Sequence, residues 1–106
     1  MNMNMPHYVV IFTSKHSSLT SGYEEMTTML ENRLKTQRGF LGMDTARSEV
    51  GITICYWDSL EAIEKWKSDP IHQKAQKMGQ KQWYESYTVR VCKVEKAYTF
   101  FAKDTF

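Results

Sequence analysis

The sequence predicts one α+β domain whose elements run strand, helix, strand, strand, helix, strand, and three observations carry that reading. Four runs rich in β-branched and aromatic residues are interspersed with stretches whose apolar residues recur at helical spacing. The middle two runs are joined by a short Val50-Gly51 link, the signature of an antiparallel hairpin. At 106 residues the chain has room for one domain, which buries roughly two-thirds of the surface its unfolded form exposes.

Strand one runs from His7 to Thr13, a β-branched and aromatic segment that does not alternate cleanly between apolar and polar. Ser21 and Glu24 then have capping-box spacing, and Tyr23, Met26, Leu30 and Leu34 line one face of a helix whose other face carries Glu25, Glu31, Arg33 and Lys35. Gly39 is a natural left-handed C-cap, so this helix is predicted over residues 21–38. Phe40 to Glu49 and Ile52 to Trp57 form the hairpin around Gly51. Asp58 or Ser59 caps the next helix, with Leu60, Ile63 and Trp66 on its apolar side. Residues 59–84 form one helical arm with a break at Asp69-Pro70, because proline belongs in the first turn of a new helix. The second half of the arm presents Ile71, Ala75 and Met78, beside a line of His72, Ala75, Gly79 and Trp83. The last strand is Ser86 to Tyr98, with Tyr87, Val89, Val91 and Lys93 on one face. Residues 1–7 read as a disordered tail, 8–99 as the domain, and 100–106 as an aromatic tail holding Phe100, Phe101 and Phe106.

Right-handed crossovers around both helices arrange these elements as a ferredoxin-like βαββαβ fold with an antiparallel sheet. Two helices cover one sheet face, and a bare second face should alternate polar with apolar residues. Strand one instead offers Val10 and Phe12 on one side and Val9 and Ile11 on the other; strand three sets Ile52, Ile54 and Tyr56 against Cys55 and Trp57. Both faces require burial, and a second copy laid on the open face, as a homodimer, supplies it. The phenylalanines of the tail would extend that contact.

Composition narrows the function classes. Apolar residues make up 42% and charged residues 25%, which is ordinary globular composition. The formal charge is +2, with 14 basic and 12 acidic residues interleaved, so no basic stripe points to nucleic acid. Cys55 and Cys92 stand apart in strand-like runs and read as small buried hydrophobes in a reducing compartment. The first residues lack a basic start, and the run from Tyr8 to Phe12 is too short for a signal peptide or a membrane span; the expected location is the cytoplasm. His7, His16 and His72 are scattered and make no zinc pattern, and no phosphate-cradling loop, HExxH or GxSxG is present.

Gly39-Phe40-Leu41-Gly42, Tyr56-Trp57-Asp58-Ser59, Ala62, Ile63, Trp66, His72, Ala75, Gly79, Trp83-Tyr84, Tyr87, Val94 and Tyr98 together resemble the antibiotic-biosynthesis monooxygenase domain of the dimeric α+β barrel group. The resemblance covers about residues 8–99. It implies a dimer in which each sheet backs onto the other, and a pocket between each subunit's helices and its own sheet. It also implies oxidation of electron-rich phenols or anthrones with dioxygen and no cofactor in some relatives, and haem degradation in others; fold alone does not choose.

Cofactor-free oxygenation needs a substrate that loses a proton, a dry aromatic pocket, and a group to take the proton. His72 is the expected acceptor, with Trp57, Trp66, Trp83 and Tyr56 as walls and Gly79 opening space. Each has a plainer use: a first-turn histidine also holds a helix start, and tryptophans at helical spacing also fill cores. Arg47 and Arg90 could hold an anion, although strand arginines commonly pair across a sheet. The haem-degrading branch carries an asparagine on strand one and a histidine ten residues after the helix tryptophan. Here Trp66 matches, but the ligand position is Gln76 and strand one has no asparagine, which argues against haem. The expected function is a monooxygenase acting on a small aromatic or quinol-type molecule; the alternative is a non-catalytic module binding a small hydrophobic ligand in the same pocket.

Overall fold

The structure, a computed structural model, describes residues 7–102. The elements follow the predicted order: β1 (Tyr8–His16), α1 (Tyr23–Leu34), β2 (Phe40–Arg47), β3 (Gly51–Trp57), α2 (Leu60–Lys67), α3 (Pro70–Met78), a π-helical turn (Gly79–Trp83) and β4 (Tyr84–Lys93). The sheet order is β2-β3-β1-β4, and every neighbouring pair is antiparallel. This is the ferredoxin-like α+β fold.

Register sorts the side chains onto two faces. Tyr8, Val10, Phe12 and Ser14 of β1 stand beside Trp57, Cys55, Thr53 and Gly51 of β3 and share the face that carries the helices. Leu34 and Leu30 from α1, and Ala62, Ile63 and Trp66 from α2, pack there onto Trp57, Tyr8, Val10, Phe40, Met43 and Cys55. Trp57 is 1% exposed and is the deepest side chain of this core. The opposite face presents Val9, Ile11, Ile54, Tyr56 and Cys92, all half-buried, with Ile52 more exposed.

Local details depart from the sequence reading, each for a physical reason. No side chain caps α1: Gly22, at φ +83°, is its N-cap, and the Ser21 carbonyl instead accepts the Trp83 indole N–H at 2.8 Å. The Ser21–Glu24 capping box is therefore not formed. The helix stops at Leu34 rather than residue 38 because Thr36 and Gln37 donate to carbonyls only three residues back, tightening the chain into turns. Gly39 does take a positive φ, +87°, but outside the helix. A Cβ there would lie 2.5 Å from Asp58 Oδ1 and 2.7 Å from Ala62 Cβ, so the bare backbone lets β2 start against the head of α2. Ser59 is the cap of α2, its Oγ accepting from Ala62 N. Asp69 caps α3, accepting from the amides of Ile71 and His72, and Pro70 opens that helix as expected. β2 ends at Arg47 rather than residue 49, because Ser48 already turns to donate to the Val50 carbonyl. β4 starts at Tyr84 rather than Ser86, because Tyr84 already pairs with His16 across an irregularity in the ladder. It ends at Lys93, opposite Tyr8, rather than at Tyr98; the Val94 amide makes one further bond to the His7 carbonyl at 2.9 Å. Past it, Tyr98, Phe100 and Phe101 are more than four-fifths exposed. Phe106 lies outside the described residues, as does most of the N-terminal tail. Among the described residues no helix is long and apolar enough to cross a membrane.

Candidate functional site

The helices cover the sheet unevenly, and the expected site residues divide between the two ends of the covered face. At the roofed end Trp57 meets Phe40 edge-on, with ring centroids 5.4 Å apart. Trp66 packs in the same core, and the His72 imidazole stacks on its indole at 4.6 Å and 12°. His72 Nδ1 lies 3.0 Å from the Trp66 carbonyl oxygen. The next residue N-terminal to α3, Asp69, binds Arg33 of α1 through both carboxylate oxygens at 2.8 Å. Burial lowers the His72 pKa despite the Trp66 carbonyl and the Asp69 charge. Desolvation works against ionisation of Asp69 as well, yet the bonds from Arg33, His72 and Ile71 hold its carboxyl below the usual range. The result is a neutral imidazole that, with Nδ1–H donating to Trp66, has Nε2 as its basic atom. Gln76 lies one turn further along α3 and is half-buried.

The other end is closed by aromatic rings and holds residues that the sequence reading set aside. His16, at the end of β1, meets Tyr23 at 4.4 Å and Tyr84 at 5.5 Å. Tyr84 touches Phe12 at 5.4 Å, and Phe12 stacks on Tyr87 at 5.2 Å. Tyr23 also meets Trp83 edge-on at 5.7 Å. His16 Nε2 is buried and has no hydrogen-bond partner, an uncommon state that calls for a reason. Desolvation and the nearby Arg47 charge lower the His16 pKa, so this ring too is neutral near pH 7. Burial, and then the Tyr23 hydroxyl, raise the Tyr84 pKa and keep it a phenol. Arg47 folds back across β3 and donates through Nη2 to the hydroxyl of Ser14, which is 3% exposed.

Between these ends the face is open. Val89 and Val91 of β4 share the register of Phe12 and Val10 on the helix side, yet are 49% and 52% exposed. Thr45 and Thr53, their hydroxyls 3.0 Å apart, continue the same strip across β2 and β3. These residues form an exposed strip of the helix-side sheet, here called the trough, with an aromatic, histidine- and arginine-bearing end. Tyr56 stands on the opposite sheet face, where its hydroxyl donates to Asp44, a bond that raises its pKa. The structure thus brings Trp57, Trp66 and His72 to one end and Trp83 to the other, and places Tyr56 on the other side of the sheet. Arg47 was weighed as an anion holder and set aside, and His16, Tyr23, Tyr84 and Tyr87 were given no role in the site. The available signal was the spacing of Arg47 from Gly51, which puts a long cation opposite a residue with no side chain.

The family model for monooxygenases of the af470-like type matches residues 1–103. The chain belongs to the monooxygenase af470-like family. A protein from Bacillus subtilis strain 168, the uncharacterized protein YqjZ, is 42% identical over 97 residues, spanning 90% of this chain and 85% of that one. Among solved structures, one from Deinococcus radiodurans assigned to the antibiotic biosynthesis monooxygenases aligns with a TM-score of 0.76 at 11% identity, over 90% of this chain and 99% of the other. SnoaB, a cofactor-independent oxygenase from Streptomyces nogalater, aligns with a TM-score of 0.73 at 9% identity, over 88% and 97%. At such identities the structural likeness speaks for the fold: this af470-like chain has the architecture of the antibiotic biosynthesis monooxygenases.

Proposed function

We propose that this protein is a monooxygenase that uses dioxygen to oxidise a small aromatic or quinol-type substrate in the helix-side trough, without a flavin or metal. The observation that carries the reading is the unpartnered, buried His16 nitrogen set in a wall of Phe12, Tyr23, Tyr84 and Tyr87. Family membership and the likeness to SnoaB support it. In this reading the wall excludes water and a neutral imidazole takes a proton from an activated CH₂ of the substrate. The carbanion then reduces dioxygen, a hydroperoxide forms at that carbon, and loss of water leaves a carbonyl; overall R₂CH₂ + O₂ gives R₂C=O + H₂O.

Two neutral histidines are candidates for the acceptor. His72 already engages the Trp66 carbonyl and stacks on its ring, with Trp57 and Trp66 packed behind the trough and Trp83 at its far end. His16 has a buried nitrogen with no hydrogen-bond partner and a ring in contact with Tyr23 and Tyr84, which favours it. Oxygen uptake on a panel of anthrones, which carry the activated CH₂ that this step needs, with no cofactor added, tests both. Uptake that collapses in His16→Phe and persists in His72→Phe supports the assignment. The reverse result moves the base to His72, and no uptake at all turns the reading towards a binding module.

The protein acts as a homodimer in this proposal, with the apolar strip of Val9, Ile11, Ile52 and Ile54 covered by a second copy. Light scattering at micromolar concentration should give twice the chain mass of 12.5 kDa. A monomer mass would remove this element.

A further inference from the structure

Arg47 is an unusual cation for the end of a strand. It is placed to extend into solvent or pair across the ladder, yet its guanidinium lies flat over Gly51 of β3. A Cβ at Gly51 would overlap Nη2, Cζ and Nε of the Arg47 side chain. Gly51 is buried beneath it, and Ser14, on the next strand over, holds Nη2. Among the described residues no carboxylate pairs with Arg47; the ion pair there is Arg33 with Asp69. Arg47 is thus an exposed but tethered cation with no carboxylate partner among the described residues and with donors to spare, at the aromatic end of the trough.

We infer that Arg47 is the anchor of the ligand site and that its guanidinium binds an oxyanion (phenolate, enolate or carboxylate) carried by an aromatic molecule. The rings of that molecule lie along the trough, against Phe12, Tyr87, Val89 and Val91. The run from the level of Arg47, Gly51 and Ser14 to that of Met43, Cys55 and Val10 is four residues of strand, about 13 Å at ~3.3 Å per residue, long enough for a fused-ring aromatic. Planar guanidinium suits a planar oxyanion through paired hydrogen bonds. Gly51 and Ser14 are positioning residues: one leaves the space in which the guanidinium lies, and the other fixes its direction.

The inference takes its trough from the proposed function but does not depend on turnover. The test is equilibrium binding of 2-naphthoate against its neutral isostere 2-naphthamide. Wild-type protein should prefer the naphthoate by about tenfold or more, the scale of a hydrogen bond to a charged group. Arg47→Met should abolish the preference and Arg47→Lys keep part of it. Gly51→Ala retains the charge but displaces the flexible guanidinium rather than the backbone, and should reduce the preference with the fold intact by circular dichroism. Equal binding of the two probes by wild type, no binding of either, or an unchanged preference in Arg47→Met each overturns the inference. Charge preference without oxygen uptake would sink the oxygenase reading and leave the anchor standing; uptake without charge preference would do the opposite.

Discussion

At the roofed end of the sheet, Trp57, Trp66 and Leu34 pack among apolar neighbours, and the one imidazole present, His72, is stacked and hydrogen-bonded. At the other end, on the same face, His16 keeps an unpartnered nitrogen beside Tyr23 and Tyr84, and the exposed Arg47 has no carboxylate partner among the described residues. Burying the His16 nitrogen without a partner costs free energy, typically about 1–3 kcal/mol, while Arg47 is exposed and its charge is met by solvent. One end therefore holds the fold together, and the other retains groups whose partners a ligand would supply. Stability and function are separated along the strands rather than mixed.

Trp57→Ala should show the largest effect: a fully packed indole is lost from the roofed end, with about 3–5 kcal/mol of destabilisation in urea unfolding. A loss under 1 kcal/mol would mean that this end is not the core. Gly39→Ala comes next, because it imposes a left-handed alanine and a clash with Asp58 and Ala62; about 1–3 kcal/mol is expected from the backbone alone. His72→Ala should cost about 1 kcal/mol through the lost bond to Trp66. His16→Phe, by contrast, should leave the midpoint unchanged or raise it, since it removes an unsatisfied nitrogen while stopping turnover. If His16→Phe destabilised the protein more than His72→Ala, the division between the ends would fail.

The smallest effect is in pH. Both histidines are held below the ordinary value of 6.5 in the folded state, so the unfolded chain takes up protons first. Their contribution is complete above pH 6.5 and is lost as pH falls through 6.5 towards the lowered folded values. Thermal midpoints measured from pH 7.5 down to 5 should decline, and the His16→Phe, His72→Phe double variant should decline less. Equal slopes would show that neither ring is held neutral by the fold.

The element order, the hairpin and the break at Pro70 were legible because each depends on local periodicity or on neighbouring residues. The aromatic end was not. His16 reaches Tyr84 only through the ladder irregularity that pairs them, and Tyr23 reaches Trp83 from across sixty residues of chain. Arg47 becomes informative only once β3 is laid beside β1, so that Ser14 lies under its reach. Capping at α1 misread for a similar reason: Ser21 has the right spacing, but a distant indole claims its carbonyl.

The π-helical turn from Gly79 to Trp83 gives this arrangement a consequence for how the chain tolerates change. A π turn is an α-helix carrying one surplus residue, and each residue of α-helix advances the side chains by about 100°. The surplus residue sets the phase at which Trp83 points to Ser21 and Tyr84 leaves for the sheet beside His16. Removing one residue between 80 and 82 would restore regular helix and rotate both rings out of the wall, with no change in which amino acids are present. The aromatic end is written in the length of a turn as much as in its composition.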